Sequence, residues 1–159
     1  MLDFLATIKN LDKNLIEVKN ILNDLKNTEV LVGIPQEKSS QRGKINNAEL
    51  LYIHTNGSTV RNIPPRPVIE PAIEDNKQQI SEFLKNGMLK ALEVNQEGAF
   101  KELENAGLHG QNVSREWFTN EKNNWKPNSK ATIEKKGSDR PLIDTGEMRK
   151  SIIYVIRKK

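Results

Sequence analysis

Hydrophobic residues recur every three or four positions through the first 27 residues. Leu5, Ile8, Leu11, Leu15, Val18, Leu22 and Leu25 share one stripe, with Asn and Lys filling the other face. This spacing predicts an amphipathic helix over 2–27. The stripe, about three heptads long, can serve as a seam between subunits or can pack on the chain's own sheet. The period then falls to two. In TEVLVGIP, Val30, Val32 and Ile34 alternate with Glu29, Leu31 and Gly33 before Pro35, which predicts a strand over 28–35 that the proline ends.

Residues 36–45 are polar and without period, and predict an exposed, mobile loop. NNAELLYIHTNG predicts a short helix, capped by Asn46 or Asn47 and closed by a left-handed Gly57. Four of the seven prolines then lie between Asn62 and Pro71 and hold that strip extended. Pro71 suits the first turn of a long helix, predicted from Ala72 to Asn105, in which Gly87 and Gly98 mark a kink or a close contact. Gly107 and Gly110 are expected to break the chain before a helical stretch from Val113 to Asn123. Residues 124–140 read as a mobile surface excursion with a short helix near 131–135. Ser151 to Arg157 is rich in β-branched residues and predicts a final strand. The fold expected is α+β in a single domain, 1–159. A small sheet of the strands near 28–35 and 151–157 packs with an N-terminal helix and a long central helix.

Charge changes the picture more by distribution than by total. The net charge is +4, from 25 basic and 21 acidic residues. Eight acidic residues face four basic ones between Glu70 and Glu104, whereas six basic residues face Asp144 and Glu147 from Arg140 onward. A basic end can contact phosphates, or it can dock on an acidic face of another subunit. There is no cysteine, which excludes thiolate chemistry and disulfides. The N-terminus has no signal-peptide pattern, and no run approaches the roughly 20 apolar residues of a membrane-spanning helix. A soluble protein, intracellular when made, is expected.

The string Leu142-Ile143-Asp144-Thr145-Gly146 matches the signature of aspartic proteases, where paired aspartates share a proton. Glu147 would crowd such a pair, and 13 residues after Gly146 leave no room for the β-rich body of that site. A structural role fits the spacing better. Asp144 and Glu147 have capping-box spacing, and Ile143 with Met148 has that of a hydrophobic staple. His54 and His109 lack partners at metal-binding spacing, and no nucleophile elbow or phosphate loop is present. The expectation is no catalytic residue, no metal and no cofactor. Arg66, held between Pro65 and Pro67, is either a surface residue in a stiff connector or an interface anchor. Trp117 and Trp125 are likewise either core or interface residues.

Several of these segments form an ordered series. Val32-Gly33-Ile34-Pro35 leads to Asn47-Ala48-Glu49, Ile53-His54 and Gly57-Ser58, then to Ile63-Pro64-Pro65-Arg66-Pro67 and Glu70-Pro71-Ala72-Ile73. Trp125 to Ser129, Thr132-Ile133, Lys136-Gly137, Pro141 to Gly146 and Arg149 to Ile152 complete it. The series resembles the HK97 gp10-like family of head–tail joining or tail-completion proteins of tailed bacteriophages and prophages. It runs from about residue 30 to the end and skips the long-helix region. The chain departs from the pattern at Asn56, Val68 and Met148, where an aromatic, a phenylalanine and a leucine are common.

The resemblance implies a small α+β structural subunit of the virion neck, made in the host cytoplasm. It implies assembly as a homo-oligomeric ring that completes the tail end. Implied partners are a capsid connector or head-closure protein and a tail-tube or tail-terminator protein. Within that role Arg66, Trp117, Trp125 and Arg149 are candidate interface residues. Arg157, Lys158 and Lys159 are candidates for weak contact with passing DNA. The alternative is a basic nucleic-acid-binding protein acting alone.

Overall fold

The computed structural model describes residues 2–38, 41–42 and 45–159. The fold is mixed helix and strand, as the periodicities predict. The elements run α1 (Leu2–Lys26), β1 (Thr28–Gly33), β2 (Gln41–Arg42), β3 (Ile45–Asn46), α2 (Asn47–Asn56), α3 (Ile69–Asp75), α4 (Lys77–Leu92), α5 (Gln96–Glu116), α6 (Lys130–Lys136), α7 (Glu147–Ser151) and β4 (Ile153–Lys158). Short 3-10 turns stand at Gln36–Lys38, Trp117–Thr119 and Glu121–Asn123. The first and last strands pair, so the sheet joins sequence extremes. The Lys159 N–H donates to the Asn27 carbonyl at 2.8 Å, which sets the end of β4 beside the start of β1. Contacts divide the chain into two compact units. The first comprises 1–31, 78–107 and 155–159, and the second 32–77 and 108–154.

In the first unit, Ile21, Ala91 and Ala99 form a small buried cluster with Leu22, Leu25 and Val94 around it. Among the described side chains, burial reaches only the last turns of the α1 stripe. Leu11 and Leu15 are 58% and 67% exposed, so of the two readings of the stripe, packing on the chain's own sheet does not extend to these positions. The side chains of Leu5 and Ile8 lie outside the described part.

The single helix expected over 72–105 is three helices. Asn76 ends α3, and the chain breaks again between Leu92 and Gln96. There Val94 takes φ 58°, and the Asn95 side chain accepts the Gly98 N–H at 2.8 Å to start α5. The break lets α4 and α5 fold back on each other. At Gly87 an added Cβ would come within 3.2 Å of the Ala99 carbonyl oxygen, so this glycine is a close contact rather than a kink.

Gly107 and Gly110 do not break the chain, since α5 runs through both. At Gly110 a Cβ would lie 3.0 Å from Ile73 Cδ1 and 3.1 Å from Val32 Cγ2. The glycine is there so that neighbours of the second unit can approach the helix, and tertiary packing overrides its weak helix propensity.

The core of the second unit gathers Leu51, Val68, Ala72, Val113, Trp117, Phe118, Met148 and Ile152. Asn46, one of the two caps expected, closes the start of α2, and Glu49 completes a full reciprocal box with it. Gly57 ends that helix with φ 72° and ψ −178°, outside the left-handed helical region expected for it. The polar stretch 36–45 includes the 3-10 turn, and Gln41 and Arg42 pair antiparallel with Asn46 and Ile45. Ser39, Ser40, Gly43 and Lys44 lie outside the described residues.

Candidate functional site

Several segments of the ordered series meet in the second unit around a cleft of about 180 Å³. Leu50 and His54 reach it from α2, and Arg66 from the proline strip. Asn128, Thr132 and Lys136 come from the excursion and α6. Leu142, Asp144, Gly146, Glu147 and Met148 close it.

Arg66 organises the cleft. Its backbone N–H donates to the His54 carbonyl at 2.6 Å, tying the proline strip to the end of α2. Its side chain is buried, at 7% exposure, and reaches the excursion. Nε–H donates to the Lys126 carbonyl at 3.2 Å and Nη2–H to the same oxygen at 2.8 Å. Nη2 also contacts the Pro127 carbonyl at 3.3 Å and Asn128 Oδ1 at 3.4 Å. Burial pulls its pKa below the usual guanidinium value. The expectation of a surface residue is corrected by this burial. Arg66 is an internal clamp, because the prolines aim it at carbonyls of its own chain.

Trp125 holds the same excursion, and Trp117 belongs to the core of that unit. Trp117 is 5% exposed in the core. Trp125 meets the Phe118 ring edge-on, with centroids 6.0 Å apart, and its Nε1–H donates to the Pro67 carbonyl at 3.1 Å. Trp117 is a core residue, and Trp125, half-buried, packs against the same core. Arg66 and Trp125 thus fasten the strip 66–67 to 125–128 from two sides.

His54 sits beside this clamp. Burial and then the Arg66 charge hold its pKa below the ordinary 6.5, and its Nδ1 is buried without a hydrogen-bond partner. Lys136 donates to the Arg140 carbonyl across the end of α6. Burial lowers its pKa, and Arg66 adds to this, against the opposing pull of Asp144 and Asp139. The cleft therefore balances two cations, Arg66 and Lys136, against two carboxylates, Asp144 and Glu147. Among the described residues no three His, Asp or Glu side chains gather as metal ligands, and no helix is long and apolar enough to cross a membrane.

The capping box expected at Asp144 and Glu147 is corrected as well. The N-cap of α7 is Gly146, with φ 78° and no side-chain cap. The left-handed glycine turns the chain before the helix begins, so Asp144 stands two residues before the cap and lines the cleft instead. Met148 is nevertheless buried, and Ile143 packs on the same core. The helix is held from behind by Arg115, whose Nη2–H donates to the Lys150 carbonyl and Nε–H to the Ile152 carbonyl, both at 2.9 Å. Arg149 is half-buried on α7.

The basic end belongs to the first unit. Arg157 pairs with Glu29 at 2.6 Å and Lys158 with Asp24 at 3.4 Å, and both cations remain exposed. Sequence reasoning singled out Arg66 but missed its acceptors, and it held Asn128, Thr132 and Lys136 only as members of the ordered series, with no role at a site. The signal lay in the two prolines around Arg66, which fix its direction, but carbonyl acceptors leave no mark in a sequence.

No protein-family model, curated protein or solved structure matches this chain.

Proposed function

We propose that the chain is a structural, non-enzymatic virion protein of a tailed phage or prophage. It forms a ring at the head–tail junction, completes the tail end and joins it to the capsid connector. The observation that carries the reading is that every residue of the ordered series, from Val32 to Ile152, falls within one of the two compact units. Residues more than a hundred positions apart share one compact unit, and several of them, Ala72, Ile152, Trp125 and Leu142 among them, pack on one core, as expected if the series specifies a single architecture. The first unit, which lies outside the series, supplies long helices with exposed apolar positions, among them Leu84, Met88, Leu89 and Leu92. Such positions suit contacts with other subunits. A ring built from unlike faces also accommodates an acidic helical region and a basic end. The proposed partners are a connector or head-closure protein on one side and a tail-tube or tail-terminator protein on the other.

Negative-stain microscopy of the purified protein, alone and mixed with a connector, tests this. Rings, or a stable complex with the connector, support the reading. A monomer that forms neither, yet binds DNA with a steep salt dependence, replaces it with the nucleic-acid alternative. The engagement of Arg157 and Lys158 by carboxylates weighs against that alternative, because paired cations have less charge to offer phosphate.

A further inference from the structure

We propose that the cleft of the second unit binds a carboxylate carried on a short apolar stem, held by Arg66 and Lys136. An arginine as buried as this one ordinarily has a carboxylate partner. Arg66 is 7% exposed, yet among the described residues it has no ion pair, and neither has Lys136. Every acceptor that holds the arginine side chain is met by Nε–H or Nη2–H. Nη1 has no acceptor among the described residues and is not sealed from solvent, so it offers two N–H donors. Lys136 gives one N–H to the Arg140 carbonyl and keeps two. Both side chains line the same cleft.

Position and polarity select the ligand. Asp144 and Glu147 also line the cleft, but both are exposed, where water and salt screen their charge, whereas Lys136 is half-buried. Burial is the first cause of the lowered pKa at His54 and at Lys136, and in both the Arg66 charge adds to it. Asp144 offsets that field in part at Lys136. An anion beside the two cations relieves the repulsion between them. Leu50, Leu142 and Met148 supply apolar wall, which suits a methylene stem better than a bare inorganic ion. The exposed carboxylates disfavour a dianion such as phosphate. One water needs roughly 10–15 Å³, so a cleft of about 180 Å³ admits a group of side-chain size. An acidic side chain of another polypeptide and a free short-chain carboxylate both carry this chemistry. The site stands whether or not the chain forms rings.

Titration of the full chain with butyrate, followed through the Arg66 Nε–H signal in proton–nitrogen correlation spectra, tests the site. A saturable shift of that signal is expected, with inorganic phosphate binding more weakly. K136Q is expected to weaken butyrate about ten-fold, since one charge-assisted hydrogen bond is lost. Without ligand, its Arg66 signal should stay in place, which shows that the clamp is intact. E147Q is expected to tighten butyrate by roughly two- to five-fold, because a like charge leaves the cleft. General loosening of the fold would move affinity the other way. A glutamate capped at both ends that binds more tightly than butyrate assigns the site to a polypeptide side chain. One that binds no more tightly assigns it to a free carboxylate. No saturable shift with either carboxylate, or a butyrate affinity that K136Q leaves unchanged, overturns the proposal. Phosphate binding as tightly as butyrate overturns the carboxylate assignment.

Discussion

Arg66 and Lys126 are joined by two hydrogen bonds onto one oxygen: Nε–H and Nη2–H of the arginine converge on the lysine's carbonyl at 3.2 and 2.8 Å. The pair fixes a segment 60 residues away in sequence against the proline strip. It is the central fastening of the second unit. Arg66→Ala leaves these carbonyls without their charged donor, and an expected loss of roughly 2–4 kcal/mol follows from the usual worth of hydrogen bonds to charged groups. Arg66→Lys keeps the charge but lacks the planar fork, so it should recover less than half. Urea unfolding midpoints at constant slope measure both.

Two glycines are predicted to respond very differently to alanine. At Gly57 a Cβ would lie 2.8 Å from both the Ile63 oxygen and the Pro65 nitrogen, and φ 72° with ψ −178° is a region other residues avoid. Gly146 also has positive φ, but the nearest atom is Lys150 Cε at 4.0 Å. Gly146→Ala should cost about 1 kcal/mol from the backbone alone. Gly57→Ala should cost at least twice that or prevent folding. Thermal melts of the two variants in parallel check the order.

Stability should fall as acid is added, through His54. Its folded pKa lies below the ordinary 6.5, so the unfolded chain binds this proton more readily. The contribution is complete above pH 6.5 and is lost as pH falls from there through the folded value. His54→Gln, which stays neutral, should flatten the stability profile in that window and leave the carboxylate-driven loss at lower pH. Unfolding midpoints between pH 8 and pH 5 for both proteins provide the comparison. An identical slope in the two would exclude His54 as the source.

Trp125→Phe keeps a ring for the edge-on contact with Phe118 but removes the donor to the Pro67 carbonyl. The expected cost is about 1 kcal/mol. Since the same strip is also held by Arg66, the double variant R66A/W125F should lose more or less than the sum of the two singles, and a double-mutant cycle measures that coupling.

The parts of this fold that a sequence announces are those governed by local chemistry. The α2 capping box, the short helix α6 with Ser129 before it and Gly137 after it, and the β-branched final strand all follow from neighbours a few residues apart. What the sequence conceals is governed by distance along the chain. Gly110 looks like a breaker until Ile73 and Val32 are seen to need its missing side chain. The Val94–Asn95 break is hidden because a valine at positive φ contradicts its own preference. Asp144 has the spacing of a cap, but the left-handed Gly146 shifts the helix start. In the cleft, Arg66 and Asp144 stand out by type, whereas the carbonyl acceptors of Arg66 do not.

The clamp also divides positions into permissive and strict. Three of the four contacts made by the Arg66 side chain end on main-chain oxygens, which every amino acid supplies. Residues 126 and 127 can therefore change identity without loosening the fastening, while the arginine cannot. Sequence drift is absorbed on the accepting side and refused on the donating side. A saturation library across both segments would show that asymmetry as a tolerant stretch facing a single invariant donor.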